Sequence, residues 1–203
     1  MVAEQVERRG IKDPRVLAAM RKVPRHEFVP AAMKDDAYDD RPLPIGHGQT
    51  ISQPYIVALM TEMLALSGDE KVLEIGTGSG FQAAVLGELA KEVYTIEIVE
   101  PLGISAARTL KRLGYGNVKT RIGDGYQGWR EAAPFDAVIV TCAPEAVPPP
   151  LVEQLAENGR MIIPVGPEGK AQELILLRKH GGKLQRKEVL PVRFVPMTGE
   201  SQE

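Results

Sequence analysis

VLEIGTGSG, residues 72–80, decides the fold. A short apolar run enters Gly76, Gly78 and Gly80, and a helical segment follows. Glycine lets the chain turn sharply at a strand end and lets a ligand approach the backbone. The spacing is G-x-G-x-G. A dinucleotide fingerprint wants glycine where Phe81 stands, so that motif fails. Taken alone, the stretch also fits a strand-to-helix turn that holds no ligand, and its surroundings must decide.

Downstream, short apolar runs recur at 71–75, 92–96, 118–122, 135–140, 160–165 and 173–178. Helical candidates lie near 80–90, 101–113 and 148–157. This alternation predicts an α/β fold of the Rossmann-like, doubly wound kind, with a mostly parallel seven-stranded sheet and helices on both faces. The tail LQRKEVLPVRFVPM, residues 184–197, reads as one more strand, antiparallel at the C-terminal end. The order of the last strands stays open.

Upstream, Asp13-Pro14 starts a helix, with Asp as N-cap and Pro in the first turn. Val16, Leu17 and Met20 form its apolar stripe, and Pro24 and Pro30 break the chain again. Residues 1–45 thus read as a small helical extension, with KDDAYDD (34–40) as an acidic, solvated turn. GHGQTISQP (46–54) reads as a loop. It is no P-loop, since no Gly-Lys-Ser/Thr follows its glycines. In YIVALMTEMLAL (55–66), Ile56, Leu59, Met60, Met63 and Leu64 mark one helical face. Ser52 or Gln53 would cap that helix, with Pro54 in its first turn. The loop therefore ends where free N–H groups favour an anion.

The 203 residues suit one domain: extension 1–45, loop 46–54, cofactor-binding core 71–165 and C-terminal strands 166–203. A 43% apolar share, a 26% charged share and a formal charge of −2 describe an ordinary globule and argue against a dedicated nucleic-acid binder. One cysteine, Cys142, excludes an internal disulfide and fits a reducing compartment. The charged N-terminus is no signal peptide, and no apolar run reaches the roughly 20 residues of a membrane span. A cytoplasmic protein without membrane attachment is expected, and a monomer, since no coiled coil or apolar stripe asks for a partner. Three scattered histidines and one cysteine offer no metal-ligand spacing, so no metal is expected.

Candidate site residues gather at the strand ends, where ligands of such sheets bind. Glu97 ends the second strand about 20 residues beyond the glycines, where a carboxylate accepts two hydrogen bonds from a ribose diol; Glu100 is a substitute. Asp124, in IGDG (122–125), ends the third and can accept from an adenine amino group. Glu74 can orient the glycine loop or meet a cationic amine. Together these resemble the class I S-adenosylmethionine-dependent methyltransferases. GIKDPRVLAAMRKVPRHEFVP, RPLPIGHGQTISQPYIVALM, VLEIGTGSGFQAA, IGDGYQGW and GRMIIPVG narrow the resemblance to the protein-L-isoaspartate O-methyltransferase family, over nearly the whole chain.

That resemblance implies methyl transfer from S-adenosyl-L-methionine to the free α-carboxylate of L-isoaspartyl residues in damaged proteins. The ester then collapses to a succinimide that hydrolyses partly to aspartate. It implies that Gln49, Thr50, Ile51 and Ser52 meet the substrate, with Ser52 as the active-site serine. It assigns Gly76, Thr77, Gly78, Ser79, Gly80, Glu97, Asp124, Gly125 and Thr198 to the donor, with Glu74 beside them. A carboxylate nucleophile, pKa about 3.5, arrives ionised, so no general base is needed and positioning remains the task. Cys142 follows the strand at 135–140 and reads as packing beneath the donor. The competing role is the nucleophile of a C5-cytosine methyltransferase. His47 draws notice only because it sits in the 46–54 loop, and Trp129 reads as packing. Other acceptors, small molecule or nucleic acid, and a non-catalytic adenosine binder are the rival hypotheses.

Overall fold

Alternate residues of each central strand belong to two separate apolar layers, and this places everything else. In the computed structural model, which describes residues 1–199, Val72, Val93, Ala137, Ile139 and Ile162 join one layer. Leu73, Ile75, Ile96, Val138, Val140 and Met161 join the other. A strand with period-two side chains, buried on both faces, reads as a continuous apolar run.

The elements in chain order are α1 (Pro14–Lys22), β1 (Leu43–Gly46), β2 (Gln49–Ile51), α2 (Pro54–Leu64), β3 (Lys71–Ile75), α3 (Phe81–Gly87), β4 (Glu92–Glu97) and α4 (Glu100–Arg112). They continue with β5 (Val118–Ile122), β6 (Phe135–Val140), α5 (Pro149–Gln154), β7 (Leu155–Val165), β8 (Gln172–His180) and β9 (Lys183–Val192). The main sheet has seven strands in the order β5-β4-β3-β6-β7-β8-β9. β5, β4, β3, β6 and β7 pair in parallel, while β8 is antiparallel to both β7 and β9. The last two strands therefore follow chain order, which settles the arrangement the sequence left open. Buried side chains of α1, α2, α3 and α4 pack in the first layer, and Leu151 of α5 packs in the second. The last four residues of the expected C-terminal segment, 200–203, lie outside the described range.

α1 begins as expected: Asp13 accepts from Arg15 N (2.8 Å) and Val16 N (3.4 Å), Pro14 opens the helix, and Val16, Leu17 and Met20 are buried. Four expectations need correction. Residues 46–54 are no open loop: β1 and β2 form an antiparallel hairpin with His47 and Gly48 at its turn. α2 has Gln53 at its N-cap without a side-chain bond, because the Gln53 amide is engaged with Asp40 O instead (2.9 Å). Its buried set is Pro54, Val57, Ala58, Leu59, Met60, Thr61 and Leu64, with Ile56 and Met63 only partly covered. The helix lies among α1, β6, β7 and the N-terminal turn Val2–Val6, so a single stripe does not describe it. α5 ends at Gln154, three residues before the expected end, because Leu155 already pairs with Phe135 of β6.

The acidic run 34–40 is also less solvated than its composition suggests. Ala37 is fully buried, and Asp40 binds Arg9 (2.7 Å) while accepting from Tyr55 N (3.3 Å). Among the described residues no helix is long and apolar enough to cross a membrane. Replacing Asp13 by Ala leaves two first-turn N–H groups of α1 without their acceptor. It should lower the unfolding free energy by about 1 kcal/mol in urea titrations.

Candidate active site

The carboxyl ends of β3, β4 and β6 meet at a cavity that opens to solvent. Backbone hydrogen bonds build its floor. Gly76 N and Thr77 N donate to Ile96 O (2.9 and 3.1 Å), and Thr141 donates its hydroxyl to Gly76 O (2.7 Å). Gly76 holds φ at 94°, and a Cβ there would stand 2.5 Å from the Thr141 hydroxyl. Gly125 is required for another reason: a Cβ would run into Ile75.

Glu97 is the centre of this edge. It is buried, Oε2 accepts from Gly78 N (2.6 Å) and Oε1 from Val99 N (2.9 Å). A carboxylate offers about four lone-pair sites, so acceptor capacity remains towards the cavity that Glu97 lines. Of the other expected residues, Gln49, Thr50, Gly76, Gly78, Gly125 and Thr198 also stand in the wall.

The rest stand outside it. Thr77 is buried and bonds to Thr95 (2.6 Å), and Thr95 donates to Glu74 Oε2 (2.6 Å). Glu74 is fully buried, and among the described residues Oε1 has no hydrogen-bond partner. Burial pushes its carboxyl up to about 8; the Thr95 hydrogen bond opposes this and the Glu97 charge adds to it. Gly80 occupies the N-cap of α3 at φ 90°. Ser79 and Gly78 border a separate cleft with Ile45 and Leu102. Asp124 accepts from Tyr126 N (2.8 Å), and its carboxylate lies against Gly199. Ile51 is buried in the core.

Ser52 lines a second, larger cavity, with Arg9, Tyr55, Arg193 and Phe194. Thr50, Thr141 and Val195 border both cavities, so they form a shared partition. His47 is exposed at the hairpin turn and borders neither. Trp129 packs edge-on against Tyr94, centroids 5.1 Å apart. Cys142 lines the first cavity, but burial, helped by the Glu97 charge, pushes its thiol well up. Burial thus disfavours the thiolate that a nucleophile needs, which argues for packing over the nucleophile role.

Several site residues escaped the sequence reading. Ile98 follows Glu97 with its side chain exposed at the cavity, and Val195–Met197 close the opposite side. Met197 N donates to Ala143 O (2.9 Å) and Ala143 N to Val195 O (2.8 Å), pinning this segment beyond β9. Arg25 was missed altogether. It is 0% exposed and donates to Ser52 O through Nη2 (2.7 Å). Nothing local marks it, because an arginine between Pro24 and His26 reads as surface.

Comparison with known proteins agrees over the whole chain. The model of the family described as protein-L-isoaspartate(D-aspartate) O-methyltransferase matches residues 1–202. A protein-L-isoaspartate O-methyltransferase of Opitutus terrae is 62% identical over 200 residues, covering 98% of this chain and 86% of that one. One from Gloeobacter violaceus is 57% identical over 200 residues, covering 98% of each. A solved protein-L-isoaspartate O-methyltransferase superposes with a TM-score of 0.90 at 31% identity, covering 98% of this chain and 66% of that one. A Plasmodium falciparum structure, described as a putative protein-L-isoaspartate O-methyltransferase in complex with S-adenosyl-L-homocysteine, gives 0.84 at 28%, covering 97% and 96%.

Glu74 gives this site a pH signature. Its folded pKa lies above the ordinary carboxylate value, so the native state holds a proton that the unfolded chain loses above about 4.5. Its contribution is whole below that pH and is lost as pH rises towards 8. Glu74→Gln should therefore be more stable than the parent at pH 8, with the gap closing towards pH 4. Thermal unfolding across that range, without added donor, checks this.

Proposed function

The chain belongs to the protein-L-isoaspartate(D-aspartate) O-methyltransferase family, and from that premise we propose how its own residues perform the reaction. It is an S-adenosylmethionine-dependent methyltransferase whose substrates are proteins and peptides carrying L-isoaspartyl residues. The observation that carries the assignment of roles is the pair of cavities with one partition, formed by Thr50, Thr141 and Val195. The first suits the donor and the second the acceptor.

The donor side fits a nucleoside. Glu97, held by two backbone N–H groups, takes the ribose diol. Gly76 and Gly78 let the main chain approach, and Ile98 offers an apolar side chain to the base. Gly125 and Thr198 close the remaining wall. Glu74, Thr77, Ser79, Gly80 and Asp124 support rather than touch: Glu74, Thr95 and Thr77 form a hydrogen-bonded chain beneath the loop. When bound, S-adenosyl-L-methionine supplies an electrophilic methyl group on a sulfonium.

On the acceptor side Ser52 hydrogen-bonds and orients the substrate carboxylate. Gln49 and Thr50 keep acceptor and donor walls in register, and Ile51 anchors the hairpin in the core. The nucleophile is already ionised, so no proton has to be removed and orientation supplies several kcal/mol. Charge is neutralised as the ester forms, so excluding water assists. Methylation starts repair, because the ester collapses to a succinimide. We further place the enzyme in the cytoplasm as a monomer, acting on neither nucleic acid nor membranes. The single cysteine and the near-neutral charge support this.

The deciding assay uses labelled donor and paired peptides that differ only in Asp against isoAsp. Base-labile label should form on the isoAsp peptide alone; label on neither, with donor still bound, refutes the activity. Ser52→Ala should lower kcat about 10- to 100-fold, the scale of a misplaced reactant, with donor Kd unchanged. Glu97→Ala should weaken donor binding by about 10- to 100-fold, as expected for hydrogen bonds to a charged group. Unaltered affinity by calorimetry removes Glu97 from the donor site.

A further inference from the structure

A buried guanidinium joins the acceptor wall to the donor loop. Arg25 sits in the 3-10 turn Arg25–Phe28 and is 0% exposed. Nε donates to Ala37 O (2.8 Å) and Nη2 to Ser52 O (2.7 Å). Its Cζ stands 4.7 Å from the ring centroid of Phe81, the first residue of α3 after the glycine loop. Nη1 is enclosed without a hydrogen-bond partner among the described residues. Three segments far apart in sequence thus meet on one rigid planar group.

Burial alone is a poor reason for such a residue. A cation withdrawn from water costs free energy unless its partners are well placed. Here burial pushes the guanidinium down to about 10, against the opposing influence of Asp40 and Tyr38, so it stays charged at neutral pH. A staple for the N-terminal extension would need only the Ala37 bond. The second donor reaches the carbonyl of the serine itself, and the π face beneath belongs to the helix that carries the glycine loop.

We infer that Arg25 is a positioning residue for methyl transfer: by bridging Ser52 O, Ala37 O and the Phe81 ring, it sets the register of the acceptor wall over the donor loop. It touches neither substrate nor donor cavity. It acts through Ser52, so the inference rests on Ser52 facing the acceptor. Lysine cannot reproduce it, because an ammonium on a flexible stem lacks the planar fork that spans two carbonyls.

The test is a double-mutant cycle on intact protein, with kcat at saturating S-adenosylmethionine and isoAsp peptide, and donor Kd by calorimetry. Arg25→Met should lower kcat about 10- to 100-fold, since small misplacements near the chemistry cost on that order. Arg25→Lys should fall between it and the parent. Donor Kd should stay within about twofold in both. In the Ser52→Ala background, Arg25→Lys should add little further loss, because the hydroxyl it places is already gone. A purely structural arginine would give multiplicative losses in the cycle, and that result overturns the inference. Should Arg25→Met not fold, Arg25→Lys decides: parental kcat in it shows that the bridge is unnecessary. Parental turnover in Ser52→Ala instead sinks the role of Ser52, whatever Arg25 does.

Discussion

Gly76 N and Thr77 N on Ile96 O, with Gly78 N on the Glu97 carboxylate, form the set of hydrogen bonds on which the site depends. Parallel strands release their backbone at one end of the sheet, and the glycine loop must find partners there or leave polar groups unpaired. It finds them on the neighbouring strand. The carboxylate that holds the loop is also the group with acceptor capacity left for a ribose. Loop geometry and the donor recognition proposed for Glu97 would therefore share one side chain, so that neither drifts without the other.

The two-layer core keeps this edge stiff. β3, β4 and β6 are buried on both faces, with Val72, Leu73, Val93, Ile96, Val138 and Ile139 at most 1% exposed. Interiors packed in this way resist small displacements. The Ser52 side of the site has a different support: the β1–β2 hairpin lies outside the main sheet, and its exit is held by Arg25, Asp40 and Gln53 through the N-terminal extension. One half of the site rests on sheet packing, the other on the buried Leu43, Ile45 and Ile51 together with a few hydrogen bonds among residues 25–55.

This division explains what could be read in advance. Strand runs and the glycine loop are local, period-two and punctuation signals, and they yielded the seven-stranded sheet. Glu97 was legible because its distance from the glycines is fixed by one helix and one strand. The hairpin was not, since four residues pairing with three carry too little pattern to separate from a loop. The face of α2 was misjudged because four elements cover it, and periodicity assumes one. Arg25 and Ile98 were invisible for a deeper reason: their roles depend on partners brought together only by tertiary folding.

The segment Val195–Thr198 has a further consequence. These residues wall the donor cavity, yet they follow every strand of the sheet in the chain. During synthesis the glycine loop, Glu97 and Gly125 are all made before the wall that faces them. A nascent chain with its parallel strands already paired still lacks a closed nucleoside site. The proposed ability to hold a methyl donor thus waits until β9 has docked and Met197 has reached Ala143.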